Sequence, residues 1–406
     1  MSSKFTAGVT PVRRAVLVGL GLLVAGTLAF SPAISQESGI SEKEIKIGIW
    51  TPLSGPLSLL GQSARDGAQV WAREVNERGG INGRKMTVIA YDDAASPQEA
   101  QSAVRRLIGQ DKVFMLIAGS ASGSTLPVRE FITREKVPLV SSISSNMNLL
   151  NPFSRYIFRI YANENVQASG VVDWMIEKEG IKRPAIIYTS NDYGVGGSRV
   201  FEQRLSSKYN LKAVAAERYN QGDLDFSAQL LRIKAANPDG LLVFSFAAEA
   251  GIIVRQAREL GVQAKMFGGG GTATNLFQRG AGPAAEGFIA DFVIPHFPDS
   301  DVPEVAAYRN KLREWFYPGG FPPGRPSEYD MAAYAAGKIT EEALRRIGPN
   351  PTREAFVDAL ETLRNFETGT SFPISYSKDN HEGTEQVQII RVNKDLKWEL
   401  YGAAKR

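Results

Sequence analysis

Two short apolar runs, each followed by a loop of small hydroxyl residues, constrain the fold more than any other feature of the sequence. The run at 113–118 ends in Gly119-Ser-Ala-Ser-Gly-Ser-Thr125, and the run at 137–140 ends in Ser141-Ser-Ile-Ser-Ser-Asn146. Apolar runs of this length, separated by a helix-length polar segment, indicate two parallel strands joined by a crossover helix. Parallel strands end at one edge of their sheet, so both loops are expected where open α/β sheets bind ligands.

Serine-rich loops at that edge are suited to an anion. Small hydroxyl side chains donate hydrogen bonds and let a ligand approach the backbone, and a helix that begins there turns its positive end towards the ligand. The two loops therefore predict a site that accepts a carboxylate. The alternative is that the serines only cap helices and fill turns. Two such loops after neighbouring strands favour the site.

The first 35 residues have the composition of a secretory signal peptide. Three basic residues precede an apolar run from Ala15 to Phe30, and Ala33-Ile-Ser35 supplies small residues at the cleavage positions. We expect cleavage before Gln36 and export to the periplasm. The apolar run is short for a membrane span, and the chain has no cysteine. A soluble mature protein without disulfides or a lipid anchor is the expectation.

Net charge gives no sign of a nucleic-acid partner. The formal charge of the chain is +4, and it falls to +1 without Lys4, Arg13 and Arg14 of the signal segment. Nucleic-acid binding requires basic residues concentrated on one face. We expect no nucleic-acid partner, and we expect a monomer.

The first half of the mature chain alternates strands and helices. Strands are predicted at 44–50 and 86–91, before the two runs already described, with a helix at about 62–77 between them. Ser96-Pro-Gln-Glu99 is a capping box with proline at the first helical position, and its helix should extend to about Ile108. Segments of crossover length between the strands predict a doubly wound parallel sheet.

The second half repeats this order. Strands are predicted at 184–188, 213–218, 240–245 and 264–267, with helices at 165–179, up to 209, up to 236 and 250–260. The segment 189–197 is predicted to be a glycine-rich loop that opens the second of these helices. A second doubly wound sheet follows from this pattern.

A chain of 406 residues exceeds one core, which predicts about two or three compact units. Helices are predicted at 302–316, 328–347 and 352–363, without strands of their own, and final strands at 386–392 and 398–401. The fold class is therefore α/β, with two doubly wound parallel-sheet lobes joined by three hinge crossings, near Ile160, near Phe292 and at 371–375. The predicted lobes are 36–161 with 292–372, and 162–291 with 373–406.

Six motifs support a family resemblance along the whole mature chain. They are Ile47-Gly-Ile-Trp-Thr-Pro-Leu-Ser-Gly-Pro56, Asn76-Glu-Arg-Gly-Gly-Ile-Asn-Gly83, Tyr91-Asp-Asp93, Asn191-Asp-Tyr-Gly194, Asp225-Phe-Ser227 and Tyr329-Asp330. In this order and spacing they resemble the periplasmic solute-binding proteins of branched-chain amino acid type ABC transporters, the leucine/isoleucine/valine-binding class with the type I periplasmic binding fold. The resemblance implies closure of two lobes on a ligand and its delivery to a membrane permease.

The resemblance also implies ligand contacts. The carboxylate-holding serine of the family falls on Ser122, and the contacts of the next loop fall on Ile143, Ser144 and Ser145. The aromatic contacts of the second lobe fall on Tyr193 and Phe246, and the aromatic of the first loop falls on Leu60.

The chain departs from the family at Gly270, which lies within four consecutive glycines. At this position, amino-acid binders of the family place an acid that holds the ligand ammonium. An unpaired buried charge is costly, so a free α-amino acid would bind poorly. Asp192 is the only acid that the sequence places near a predicted contact. We expect an aromatic or aliphatic carboxylic acid, with Phe246 and Tyr193 able to stack on an aromatic ring.

The sequence offers little support for an enzyme or for a cofactor. Gly119-Ser-Ala-Ser-Gly123 has alanine where a nucleophile elbow needs serine, and the chain has only two histidines, His296 and His381. The pair Asp92 and Asp93 has no neighbouring third metal ligand, and no phosphate loop is present. We expect no catalytic residues, no metal site and no cofactor.

The sequence leaves other ligand-binding functions open. A ligand-sensing subunit would present a solute to a membrane receptor or regulator, and a true branched-chain amino acid binder would use the same fold. A hydrolase is a more distant alternative.

Overall fold

The computed structural model describes residues 37–403, in which the strands form two sheets. The predicted signal peptide, 1–35, lies outside the described residues. Within 37–403 the helices are all too short or too polar to cross a membrane.

The first sheet has five parallel strands in the order β2-β1-β3-β4-β5. Their bounds are β1 Glu44–Thr51, β2 Lys85–Asp92, β3 Met115–Ala118, β4 Leu139–Ser141 and β5 Ile157–Arg159. Every residue of β3 and β4 is buried, as expected for parallel strands covered on both faces. The predicted parallel sheet with strands at 44–50, 86–91, 113–118 and 137–140 is therefore confirmed, and β5 adds a fifth strand to it.

The helices beside this sheet are α1 Ser58–Glu77, α2 Pro97–Gly109, α3 Ser122–Thr125 and α4 Arg129–Arg134. Ser96 caps α2 by accepting a hydrogen bond from the Glu99 N–H, as predicted. Helix α1 begins one turn before the predicted start, so Leu60 lies on a helix and not in a loop. The reason is close packing: a Cβ on Gly61 would stand 1.9 Å from the carbonyl oxygen of Pro52, so glycine lets the first turn lie against the preceding loop.

The second sheet has seven strands in the order β12-β11-β10-β9-β8-β6-β7. Its strands are β6 Pro184–Thr189, β7 Ala215–Tyr219, β8 Gly240–Phe244, β9 Lys265–Gly268, β10 Ile289–Phe292, β11 Gln388–Val392 and β12 Trp398–Ala403. Strands β6 to β10 are parallel, whereas β11 pairs antiparallel with β10 and with β12. The two final strands thus join the second sheet, as the sequence predicted.

The helices of this half are α5 Glu164–Glu177, α6 Asp192–Tyr209, α7 Ser227–Ala235, α8 Ala247–Glu259 and α9 Asn275–Ala281. Helix α9 was not predicted. The predicted glycine-rich loop is also wrong in part, because Gly194, Gly196 and Gly197 lie inside α6. A Cβ on Gly197 would stand 2.2 Å from the Phe244 ring, so the glycines let α6 approach the sheet.

Three further helices, α10 Pro303–Phe316, α11 Glu328–Ile347 and α12 Arg353–Leu360, precede the last two strands. Helix α11 packs on α1 so closely that a Cβ on Gly67 would stand 2.0 Å from the carbonyl oxygen of Asp330. The chain therefore runs from the first sheet to the second, returns to α1, and ends in the second sheet. This path fits the predicted α/β class with two mostly parallel sheets. The exact lobe boundaries stay a prediction.

Candidate functional site

The two serine-rich loops lie side by side at one edge of the first sheet. Strands β3 and β4 pair in parallel, with Ala118 opposite Ser141, so the loops that follow them are adjacent. Helix α3 begins at Ser122, and the second loop leads into a short 3-10 turn, Met147–Leu149. The expected location at the carboxyl ends of neighbouring strands is confirmed.

A small cavity of about 20 Å³ lies between these loops and the second sheet. Its lining includes five of the eight predicted contact residues, namely Ser122, Ile143, Ser145, Tyr193 and Phe246. Positions separated by more than a hundred residues in the sequence are thus brought to one point. Their role in holding a ligand stays a prediction.

The other three predicted residues lie next to this cavity and not on its surface. Ser144 donates a hydrogen bond to Ser122, and Gly270 packs beside Asp291 and Gln167. Leu60 lines a neighbouring apolar channel of about 30 Å³, which shares Phe246 and Tyr329 with the cavity.

The hydroxyl of Ser122 is set up to donate. Its Oγ accepts hydrogen bonds from Ser144 Oγ and from the Asn146 N–H, each at 3.2 Å. A hydroxyl oxygen has two acceptor lone pairs and one proton, so two accepted bonds leave the proton as its remaining bonding group. Ser122 also lines the cavity, and its proton therefore suits a negatively charged acceptor there.

A buried cation stands behind the second serine loop. Arg159, on β5, has no exposed surface, and its guanidinium donates to the carbonyl oxygens of Ser145 and Asn146, each at 2.7 Å. Its Nε lies 3.5 Å from a carboxylate oxygen of Glu382. The guanidinium holds the loop in place and adds positive potential behind it. Arg159 was not among the predicted site residues, although a single arginine in an apolar strand was a visible signal.

Tyr193 and Phe246 form one aromatic wall. Their ring centroids are 5.1 Å apart at an interplanar angle of 30°, and the ring of Phe244 also packs on Tyr193, with a centroid distance of 4.5 Å. The two rings stack on each other, so a ligand ring would meet one exposed face and not enter a slot between them. The hydroxyl of Tyr193 accepts a hydrogen bond from the Gly271 N–H at 3.1 Å.

Five lining residues were not among the predicted contacts, namely Ala121, Tyr161, Gln167, Gly271 and Tyr329. Three of them had a signal in the sequence, because Ala121 lies in the first serine loop, Gly271 in the run of four glycines and Tyr329 in one of the six motifs. Tyr161 and Gln167 lie in segments whose pattern indicates only an extended segment and a helix.

The expectation that Asp192 is the only acid near the site is wrong. Asp192 is exposed and does not line the cavity. Asp291 has no exposed surface, and one of its carboxyl oxygens lies 2.9 Å from the point that a Cβ on Gly270 would occupy. Glu328, at the start of α11, is also buried and precedes Tyr329. Burial raises the pKa of Asp291 and that of Glu328 to about 8, so both carboxyls are mostly neutral at pH 7.

A larger cavity of about 340 Å³ lies outside the predicted site, between the segment that precedes α11 and the turn before β12. Arg325, Glu328, Lys397 and Trp398 are among its lining residues, and none of the predicted contacts lines it. The smaller cavity is the better candidate because the serine loops and the aromatic wall converge there.

His381 is held in the core and makes no contact with the serine loops. His381 is buried with its ring stacked on Phe158 at a centroid distance of 3.7 Å, and its Nδ1 lies 2.9 Å from the carbonyl oxygen of Ile157. Burial lowers its pKa to about 4. In the part of the chain that the structure describes, acidic and histidine side chains do not cluster in threes as a metal site would need.

The two mostly parallel sheets, with a cavity between the serine loops and the second sheet, are typical of solute-binding proteins built on two α/β lobes. The chain belongs to the periplasmic binding protein family, whose model matches residues 44–397. This is a family of binding proteins and not of enzymes, and the similar proteins include several Leu/Ile/Val-binding proteins.

Three similar proteins illustrate this relationship. Leu/Ile/Val-binding protein homolog 3 of Brucella melitensis is 25% identical over 375 residues, which cover 92% of this chain and 97% of that protein. The substrate-binding protein LivJ of Streptococcus pneumoniae, solved in complex with isoleucine, is 26% identical with a TM-score of 0.78, covering 90% of this chain and 100% of LivJ. A solute-binding protein of R. palustris, solved in complex with 4-hydroxybenzoate, has a TM-score of 0.78 at 21% identity, covering 89% and 97%. At 21% identity, the similarity to the R. palustris protein shows only that the two proteins share a fold.

Proposed function

We propose that this protein is the exported, periplasmic subunit of an ABC importer and that it closes as a monomer on a small organic carboxylic acid. Ser122 and Ser145 hold the carboxylate, and Tyr193, Phe246, Ile143 and Leu60 surround the apolar or aromatic body. The closed form then delivers the acid to a membrane permease. The segment 1–35 acts as the export signal.

The observation that carries this proposal is the hydrogen bonding of Ser122. Its oxygen accepts two bonds, so its proton is left for an acceptor in the cavity. The Oγ of Ser145 lines the same cavity and makes no hydrogen bond to another described residue. Arg159 adds a positive charge behind this loop. Two free hydroxyl donors in front of a buried cation favour an anionic head group.

The absence of an ionised partner beside Gly270 argues against a free α-amino acid. Asp291 is the nearest buried carboxyl to that position, and burial raises its pKa to about 8. To form an ion pair with an ammonium group, this carboxyl would first have to release its proton to solvent, and the free energy of that ionisation offsets part of the charge attraction. A carboxylic acid without an ammonium group avoids that cost.

A branched-chain amino acid binder is the second candidate, because several relatives are named as Leu/Ile/Val-binding proteins. Their identities of 25–27% leave room for a different ligand. Since the same fold also accepts 4-hydroxybenzoate in the R. palustris protein, the choice depends on the residues of this cleft. A sensor subunit would bind the same ligand and differ in its membrane partner.

Mass spectrometry of ligand released from the purified protein, followed by isothermal titration, tests the proposal. We expect an aromatic or aliphatic acid to bind at least tenfold, about 1.4 kcal/mol, more tightly than any standard amino acid. Submicromolar binding of leucine, isoleucine or valine with no tighter acid would contradict it. Product formation from esters or amides would instead indicate a hydrolase.

A further inference from the structure

Gln167 presents an unpaired hydrogen-bond acceptor at the cavity. This residue of α5 is wholly buried and lines the cavity. Its side-chain Nε2 donates to the carbonyl oxygen of Ala162, which sets the orientation of the amide. The opposite atom, Oε1, has no hydrogen-bond partner among residues 37–403. A buried acceptor in this state costs free energy until a donor reaches it.

Asp291 brings a second unpaired group to the same place. It lies on β10 and has no exposed surface, and neither of its carboxyl oxygens has a well-aligned hydrogen-bond partner in the described part of the chain, although the backbone N–H groups of Gly270 and of Asp291 itself lie close enough to offset part of the burial effect on its pKa. It has no basic side chain as a salt-bridge partner there. Like Gln167 Oε1, the carboxyl of Asp291 therefore needs a hydrogen-bond partner from outside the protein.

The position of Gly270 relates the two groups. A Cβ at this residue would stand 2.9 Å from Asp291 Oδ2 and 3.1 Å from Gln167 Oε1. The two oxygens are therefore no more than about 6 Å apart, so one small group between them is able to bond to both. A side chain at 270 would collide with these two oxygens and with Val293 Cγ1, which would stand 3.2 Å from the same Cβ. Gly270 and Asp291 lie just behind the cavity surface, which Gln167 and Gly271 line, and we call the place where Gln167, Asp291 and Gly270 meet the Gly270 corner.

The chemistry of the Gly270 corner favours a hydroxyl over an ammonium group. Burial raises the pKa of Asp291 to about 8, so at pH 7 its carboxyl offers one donor and one acceptor. Gln167 adds a further acceptor. A hydroxyl both donates and accepts, which matches this set, whereas an ammonium group only donates and leaves the carboxyl proton unpaired.

We infer that the ligand is a hydroxy-substituted carboxylic acid whose hydroxyl binds in the Gly270 corner, donating to Gln167 Oε1 and bonding to the carboxyl of Asp291. This inference rests on the proposed function, since it assigns the carboxylate of the same ligand to Ser122 and Ser145. It makes Gln167 and Asp291 specificity-determining residues. A pocket that pairs a ligand hydroxyl discriminates strongly against an analogue that lacks one, because the buried groups are then left unpaired.

Matched pairs of acids test the inference by isothermal titration. The probes are benzoate with 3- and 4-hydroxybenzoate, pentanoate with 5-hydroxypentanoate, and 4-(aminomethyl)benzoate as a cationic comparison. In at least one pair, the hydroxylated acid should bind at least tenfold more tightly than its parent. Gln167→Leu and Asp291→Asn should each reduce that ratio below threefold while changing the affinity for the parent acid much less. Asp192→Asn is the matched control, and it should keep the full ratio because its side chain is exposed.

The outcomes separate this inference from the proposed function. If parent and hydroxylated acids bind alike, or if both variants weaken them equally, the inference is wrong and the carboxylate site stands. If 4-(aminomethyl)benzoate is the tightest probe, the corner binds a cation and the hydroxyl assignment is wrong. If none of the acids binds and free amino acids do, the proposed function fails and the inference fails with it.

Discussion

Ser144 Oγ donates a hydrogen bond to Ser122 Oγ at a distance of 3.2 Å, although the two serines belong to different loops. The pairing of β3 with β4 brings these loops together, and the Asn146 N–H adds a second bond to the same oxygen. Ser144 thus orients the hydroxyl of Ser122 without lining the cavity. The ligand contact that the family resemblance assigned to Ser144 stays a prediction.

Removal of the two cavity hydroxyls should weaken carboxylate binding. Each hydrogen bond to a charged group contributes about 1.5–3 kcal/mol, so Ser122→Ala together with Ser145→Ala should cost a few kcal/mol of binding free energy. Ser144→Ala should cost less, because it removes only the orienting bond. Isothermal titration with the acid found in the ligand screen measures these changes. Ser206→Ala, at an exposed position of α6, serves as the control, and an unchanged affinity in the double variant would show that the site is elsewhere.

Ligand binding should make the protein more compact. The chain passes between the two sheets three times, and the cavity is lined by residues from both sides. Asn146 Nδ2 also donates to the carbonyl oxygen of Asp192 at 2.8 Å, which joins a first-sheet loop to a second-sheet helix. A ligand that contacts both sides shifts a hinge equilibrium towards the closed form. Small-angle X-ray scattering should show a smaller radius of gyration with saturating ligand, and an identical profile would argue for a rigid scaffold.

Replacing Arg159 should destabilise the protein strongly. Arg159→Met leaves two loop carbonyl oxygens without their donor and the mostly buried Glu382 without its cation. Breaking a buried ion pair from one side typically costs about 3–5 kcal/mol of unfolding free energy. Urea denaturation measures this loss. Arg232→Met, which removes an exposed pair with Glu217, should change the stability little, and equal losses in both variants would contradict the assigned role.

The stability of the unliganded protein should fall as the pH rises from about 6.5 to 8. Burial raises the pKa of Asp291 and Glu328 to about 8, so the folded protein keeps protons that the unfolded chain has already lost. Stability decreases with pH wherever the folded state holds more protons, by at most about 1.4 kcal/mol per pH unit for each group. Glu164, whose pKa burial raises to about 7, adds to the lower part of this range. His381, whose pKa is lowered by burial, makes stability increase with pH, but only below pH 6.5.

Urea titrations at several pH values test this effect. Asp291→Asn and Glu328→Gln should each flatten the dependence of unfolding free energy on pH, because neither amide titrates. Asp225→Asn, at an exposed turn, should leave the slope as it is in the unchanged protein. If all three variants show the same dependence of unfolding free energy on pH as the unsubstituted protein, then other groups bind the protons.

Local pattern was sufficient for most of the secondary structure. Helix α11 was predicted at 328–347 and spans the same residues, because its apolar period and its Ser327–Asp330 capping box are both local signals. The start of α1 and the glycines of α6 were misplaced. In both cases glycine permits contact with a distant backbone or ring, which the surrounding residues do not reveal.

The sequence by itself determined the α/β class, the order of strands and the serine loops, since hydrophobic period and turn residues act over short stretches of chain. It also supplied five of the residues that line the cavity, through motifs that resemble a known family. Only the tertiary structure placed Arg159 behind Ser145, and Asp291 and Gln167 beside Gly270. These side chains lie on buried strands and a helix whose pattern indicates burial alone. Their partners are decided by sheet pairing and helix packing between segments far apart in the chain, and so are the charge and hydrogen-bonding character of the cleft.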